Sequence, residues 1–328
     1  MGRVACIDIG TVTARLAVAD VEDGRVSKLH KRSTIVDVGE GLVQTGVISD
    51  AAIERVVTCV DGYLAEARAM GAPKICCTMT SASRDAANSD VLLSAFAERG
   101  LDAQVIPGEV EGRLTLLGVC QDFPGRLVLV ADNGGGSTEL ALGRVGDEGL
   151  EVRAIRSVDV GCRRLTEHFL AASDLPSAED LAGAHAFAHE PFQQTVDELG
   201  LADGGAERLV VTGGTATSLV AIDAELEPYD SAYVHLHELT LEQVESLEER
   251  LAGLTVAERA ALPGLQPKRA GVILGGAIAI SEIMRTTGFD RMTVSESDLL
   301  YGLSLTVDAA CENAPSPVSW EPRLSALV

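Results

Sequence analysis

Residues 126–143 read RLVLVADNGGGSTELALG: an apolar run, an acid, three glycines, two hydroxyl residues and a second apolar run. The first run predicts a buried strand ending near Asp132, and the second predicts the strand that returns beside it. Gly134, Gly135 and Gly136 carry no Cβ, so the turn between the strands can lie directly against a ligand. Amide N–H groups of such a turn, with the hydroxyls of Ser137 and Thr138, can replace water around phosphoryl oxygens. An acid at the strand end, Asp132, can hold Mg²⁺ directly or through water. The N-terminal stretch repeats the plan, with RVACIDIG (3–10) as a strand, a polar GTVT turn, and ARLAVADV (14–21) as its return. Asp8, Gly10 and Thr11 are the matching positions. Two such hairpins facing each other across a cleft would clamp phosphates from both sides. A third glycine–hydroxyl turn, GGTATS (213–218), follows the strand ERLVVTGG (207–214), and Gly275-Gly276 in VILGGAIAI (272–280) reads as a fourth.

Outward from these turns, strands and helices alternate. AAIERVVTCVDGYLAEARAMG (51–71) is an amphipathic helix that Ser49 or Asp50 can cap and Gly71 can close. PKICCTMTS (73–81) and AQVI (103–106) read as strands, with the helix SDVLLSAFAERG (89–100) between them, and Pro107-Gly108 turns into a helix near Glu109. Further on come a strand VRAIRSVDV (152–160), a helix over 177–200, and LTLEQVESLEERLAGL (239–254). Thr240 with Gln243, and Thr255 with Glu258, have the spacing of capping boxes. The pattern is α/β. The expected division is a first lobe over 1–123, a second over 124–302, a helical segment over 303–315 that packs back on the first, and a tail of coil over 316–328.

Composition narrows the function. The chain has 328 residues, enough for two cores at about 150 residues each. Against 26 basic residues stand 49 acidic ones, a net charge of −23, which excludes a general nucleic-acid-binding face. A local anion site is not excluded, because backbone amides and a few arginines can bind phosphate within an acidic protein. The start lacks a signal pattern and no apolar run reaches about 18 residues, so a cytoplasmic protein without a membrane span is expected. The seven cysteines lack zinc or redox spacing and read as small buried thiols. His185 and His189 stand four apart, and His235 and His237 alternate along a possible strand; neither pair has a third ligand at similar spacing, and the first reads as a solvated helix face. A homodimer is a default expectation that no sequence feature marks.

The segments DIGT (8–11), TSASRDAAN (80–88), PGEVEGRLTLLGV (107–119) and DNGGGSTEL (132–140), in that order, resemble the exopolyphosphatase/guanosine pentaphosphatase (Ppx/GppA) family. The resemblance continues through GCRRLTEHFL (161–170), GGTATSLVA (213–221), LPGLQPKRAGVILGGA (262–277) and VSESDLLYGL (294–303), nearly the whole chain, and looks like the family's short form. It implies two ribonuclease-H-like lobes of the actin-like ATPase superfamily facing a central cleft. It also implies Mg²⁺-dependent hydrolysis of the terminal phosphoanhydride of inorganic polyphosphate or of guanosine pentaphosphate. By this resemblance Glu111 is the general base for the attacking water, and Arg84 the cation that neutralises phosphoryl charge. Asp132 and Glu139 bind the metal or order the water. Asp8, Gly10, Thr11, Arg15, Gly134, Gly135, Gly136, Ser137, Thr138, Gly213, Gly214 and Thr215 cradle phosphates. The residues alone leave plainer roles open: a helix-start glutamate for Glu111, a salt bridge to Asp85 for Arg84, and a brace against a carboxylate for Arg15.

Four departures from the family pattern cluster around phosphate binding. Val12 stands where an asparagine amide is usual, and Asp37 stands where the family has an arginine. Asn133 replaces an apolar residue, and the helix-start segment carries Pro107, Val110 and Gly112 for serine, glutamate and alanine. A lost amide donor removes one or two hydrogen bonds, and a carboxylate beside a polyanion repels it. These changes motivate a second reading, a weakly active sensor of a phosphate-rich ligand. A third, an actin-like kinase or ATPase, fits the hairpins but not the segments at 80–88, 107–119 and 262–277.

Overall fold

A computed structural model describes residues 2–202 and 204–327. Among the described residues the strands are β1 (Gly2–Ile9), β2 (Thr13–Glu22), β3 (Arg25–Ile35), β4 (Lys74–Met79), β5 (Ala103–Val105), β6 (Val128–Asn133), β7 (Thr138–Gly146), β8 (Gly149–Val158), β9 (Leu209–Thr212), β10 (Glu238–Thr240), β11 (Arg291–Ser295) and β12 (Ser325–Ala326). They form two sheets. In the first, β3, β2 and β1 run antiparallel, and β4 and then β5 continue in parallel. In the second, β8, β7 and β6 run antiparallel, and β9 and β11 continue in parallel, with β10 antiparallel at the edge. Each sheet therefore has the ribonuclease-H-like order, and each opens on a hairpin, β1–β2 or β6–β7.

The helices form where the apolar spacing and caps predict. The 50–69 helix (Asp50–Ala69) starts on the Ser49 hydroxyl, which accepts from the Ala52 amide, and it buries Val56, Val60, Tyr63 and Leu64. Both capping boxes form, at Thr240/Gln243 and Thr255/Glu258. Gly275 and Gly276 are not a turn. They lie inside the helix Ile273–Thr287, where their missing side chains let the Cys162 carbonyl and the Thr215 side chain pack against the helix. The tail is more than coil, since β12 returns to pair with Lys74 and Ile75 of β4.

With few aromatic rings available, the cores are built from Ala, Val, Leu and Ile. The helix Gly108–Val119 crosses from one sheet to the other. Leu114 and Leu117 pack with Val4, Cys6 and Leu303 beside the first sheet, while Leu116 and Val119 pack with Val128, Val130 and Ala141 of the second. Each buried leucine contributes about 1.5–3 kcal/mol, so the start of this helix, which carries Glu111, is fixed firmly between the lobes. It crosses the helix Leu299–Cys311 through glycines: Gly118 abuts the backbone at Asp298 and Gly302, and Gly302 abuts Leu114. A Cβ on Gly302 would stand 2.8 Å from the Leu114 carbonyl carbon. Gly302→Ala is therefore expected to destabilise by at least about 2 kcal/mol, as overpacking against rigid backbone does. Thermal unfolding at constant protein concentration checks it.

Candidate active site

The two hairpins face each other across a cavity of about 1100 Å³. Asp8, Gly10, Thr11 and Arg15 line it from the first hairpin, Asp132 and Gly134–Ser137 from the second, and Gly213–Thr215 from the turn after β9. The glycines are sterically required here. A Cβ on Gly135 would lie 2.7 Å from Val12 Cγ2 and 2.8 Å from Thr11 Cβ, so the opposing loops touch without side chains between them. Gly213 has φ +107°, and a Cβ there would meet the Asn133 carbonyl oxygen at 2.5 Å.

Glu111 enters this cavity from the first turn of its helix, and its carboxylate is almost wholly buried. Arg84 Nη1 donates to Glu111 Oε2 at 2.7 Å and to the Ile106 carbonyl at 3.0 Å, while Nη2 reaches Ser137 Oγ at 3.4 Å. The Arg84 partner is thus Glu111; Asp85 pairs instead with Arg164. Burial pushes the Glu111 carboxyl up to about 7, with Arg84 pulling it down and Asp8 and Asp132 pushing it further up. A carboxylate that titrates near neutrality and lines the same cavity as a glycine loop suits a general base. Glu139 lies behind Ser137, accepting from Ser137 Oγ at 2.9 Å and from Ser157 Oγ at 2.7 Å. Burial, with Glu111 and Asp132 nearby, raises its carboxyl well above the usual range. Thr138 is fully buried, and its hydroxyl donates to the Val160 carbonyl at 2.6 Å rather than facing the cavity.

Arg15 is a brace. Its guanidinium meets Asp8 at 2.6 Å and Asp298 at 3.0 Å, and Lys31 meets the same Asp298 oxygen at 2.7 Å. Burial opposes ionisation of Asp298, but Lys31 and Arg15 outweigh it and hold that carboxyl low. Asp132 accepts from Thr115 Oγ1 at 2.8 Å, and burial raises its carboxyl despite Arg15. The departures from the family pattern resolve locally. Asp37 is paired with Arg163, so it does not face the cavity bare. Val12 packs with Ile35, Cys162 and Val272, an apolar contact in place of an amide donor. Asn133 donates to Thr138 at 3.0 Å, and its Oδ1 is buried without a partner.

One cation of the site carries no sequence reading. Arg269, in the 267–270 segment, lines the cavity against Gly214 and reaches Thr13 Oγ1 at 3.5 Å. Among the described residues it pairs with no carboxylate, and burial lowers its pKa. A guanidinium left unneutralised beside three glycine turns is free for an anion. Arg269→Met is expected to raise KM for a phosphate-rich substrate about tenfold to a hundredfold, the value of one or two charge-assisted hydrogen bonds, without loss of thermal stability. Steady-state kinetics beside a melting curve checks both halves.

The first histidine pair is not a free solvated face but ties neighbouring helices together, and His235 of the second pair lines the cavity. His185 bridges Glu282 and Glu248 at 2.8 Å each, and His189 meets the second Glu282 oxygen at 2.8 Å. His235 accepts from the Glu296 amide at 3.2 Å and follows a short helical turn rather than lying in a strand. Among the described residues no three His, Cys, Asp or Glu side chains form a group able to hold a metal ion by themselves. Asp8 and Asp132 with the unpartnered Asn133 Oδ1 nonetheless supply hard oxygen donors, a set that fits an ion taking its remaining ligands from phosphate and water. No helix among the described residues is long and apolar enough to cross a membrane.

Two ribonuclease-H-like sheets, glycine loops from both, and a buried carboxylate–guanidinium pair define a hydrolase that handles phosphate groups. Residues 17–306 match the Ppx/GppA phosphatase family, and the chain belongs to it. It is 35% identical over 321 residues to exopolyphosphatase 2 of Mycobacterium tuberculosis, covering 93% of this chain and 98% of that protein. The crystal structure of the Ppx/GppA family member from Aquifex aeolicus is similar, with a TM-score of 0.76 and 29% identity, covering 96% of this chain and 99% of that one. An exopolyphosphatase from Cytophaga hutchinsonii shares the fold, with a TM-score of 0.82 at 24% identity over 95% of this chain and 99% of that one.

Proposed function

We propose that the chain hydrolyses the terminal phosphoanhydride bond of inorganic polyphosphate and releases orthophosphate. The observation that carries this reading is Glu111, a buried carboxylate titrating near 7 and held by Arg84 beside the Gly134–Ser137 loop. Water oxygen attacks the terminal phosphorus, its proton passes to Glu111, and the bond from that phosphorus to the bridging oxygen breaks. The shortened chain leaves with that oxygen. Arg84 and the loop amides stabilise charge on the phosphoryl oxygens, and Arg269 and the Gly213–Thr215 turn hold phosphates further along. A Mg²⁺ ion held by Asp132, with Asp8 nearby, would neutralise phosphate charge; Glu139, behind Ser137, would act on the ion through its neighbours.

Guanosine pentaphosphate is the second reading, favoured by Tyr229 in the cavity wall, where a ring could meet a base. The polyphosphate reading is preferred because glycine turns and hydroxyls from three loops line the wall together with the Arg269 guanidinium, and no sandwich of rings is present among the lining residues. Phosphate release from long-chain polyphosphate and from guanosine pentaphosphate, side by side with Mg²⁺, tests the choice. Release from the nucleotide alone overturns the preference. Tight polyphosphate binding with no turnover, unaltered in Glu111→Gln, moves the reading to a sensor.

A further inference from the structure

A second cavity, of about 310 Å³, lies behind the phosphate loop and shares Thr11 and Gly136 with the main one. Arg163, Arg164 and His168 line it, with Asp85 as its one acidic residue. Arg163 is paired with Asp37 and Arg164 with Asp85, so an anion entering this space would be taken up by exchange for these carboxylates and by donors that have no partner. The Thr11 hydroxyl, in a residue only 6% exposed, has no partner, and it stands beside Gly136 where the two cavities meet. Arg163 Nε is likewise buried and unpartnered. Arg164 closes the seam, since its Nε donates to the Gly136 carbonyl at 2.8 Å and its Nη2 to Asp85 at 2.5 Å. The exposed His168 marks the outer end.

We propose that this second cavity binds orthophosphate and is the route by which it leaves. The inference rests on the hydrolytic reading above. The phosphoryl group attacked beside Glu111 lies against Gly136 and Ser137, at the end of the main cavity. After cleavage the shortened chain still fills that cavity on the Arg269 side. The freed tetrahedral anion is then enclosed between chain and loop, and the arginine-lined space across Gly136 is adjacent to it. Release requires Arg164 to let go of the Gly136 carbonyl, and the departing phosphate offers its guanidinium a replacement acceptor.

Val43 lines the second cavity and not the main one, so Val43→Trp is a plug. Equilibrium dialysis with labelled inorganic phosphate is expected to count two sites in the wild type and one in the plugged variant. With polyphosphate, the plug is expected to slow steady-state release roughly tenfold while single-turnover cleavage keeps its rate, so that a burst appears. Arg164→Ala is the second variant, should the tryptophan unfold the protein; it is expected to weaken phosphate at the second site at least tenfold. Steady-state release unaltered by a folded plug, or a second phosphate site indifferent to Arg164→Ala, overturns the proposal. Turnover with only one phosphate site, insensitive to both variants, sinks the release site and leaves the hydrolase standing. Two phosphate sites, one of them lost in the plug, in a protein that cleaves neither polyphosphate nor guanosine pentaphosphate, support the site and sink the hydrolase.

Discussion

Glu111→Gln is expected to cut phosphate release by about 10²–10⁴-fold while leaving polyphosphate binding intact, the range typical for a positioned general base. Glutamine fills the same space and can still accept from Arg84, so the loss is chemical rather than structural. The wild-type rate should follow ionisation of this residue. Its carboxyl titrates at about 7, and only the deprotonated form accepts the proton, so kcat/KM rises with pH through that value and falls below it. The substitution should also raise the melting temperature above pH 7. There the wild type holds a buried carboxylate that burial disfavours, and the amide does not. A folded variant with normal turnover would refute the assignment.

Arg84→Ala should be almost as damaging, by about 10²–10³-fold in kcat, the cost of losing one donor to developing phosphoryl charge. Its diagnostic is the pH profile. Arg84 pulls the Glu111 carboxyl down, so its removal pushes that carboxyl up and shifts the acid limb to higher pH. Loss of stability alone would not move the limb. An unmoved limb with reduced kcat would leave Arg84 a contact of the phosphoryl group only. A pH–rate profile over pH 5–9, run on both proteins with saturating and limiting substrate, separates these outcomes.

The hairpins and their glycines were legible in the sequence because a turn between two apolar runs is a local pattern, and so were the helices with their caps. The family resemblance puts Glu111 and Arg84 in one site, but nothing in the sequence pairs them, since no spacing joins residues 27 apart. What stayed hidden was decided by contacts distant in sequence. Asp37 alone reads as a repulsive charge, yet Arg163, 126 residues on, neutralises it. Lys31 and Asp298 are 267 residues apart and share one ion pair. Arg269 carried no reading because an arginine without a carboxylate looks like any surface arginine until the cavity is seen. β3 was missed because its residues are mostly polar and exposed or half-exposed, as suits an edge strand, and lack a buried run. Gly275-Gly276 misled because close helix packing and a tight turn call for the same residue.

The side-chain-free crossing at Gly118 and Gly302 has a mechanical consequence. Two backbones in contact form an axle, and Glu111 sits about 10 Å along one of its helices. Near Glu111 the same helix lies directly on the second sheet, Gly108 against Ser157 and Gly112 against Ile155 and Glu139, whereas Arg84 comes from the first lobe. A swing of the first sheet about the axle would therefore strain the 2.7 Å Arg84–Glu111 pair as well as the 3.4 Å reach from Arg84 to Ser137. The pair would then act as a latch, set only when the jaws are shut, so that substrate only half seated would meet an arginine drawn away from its carboxylate.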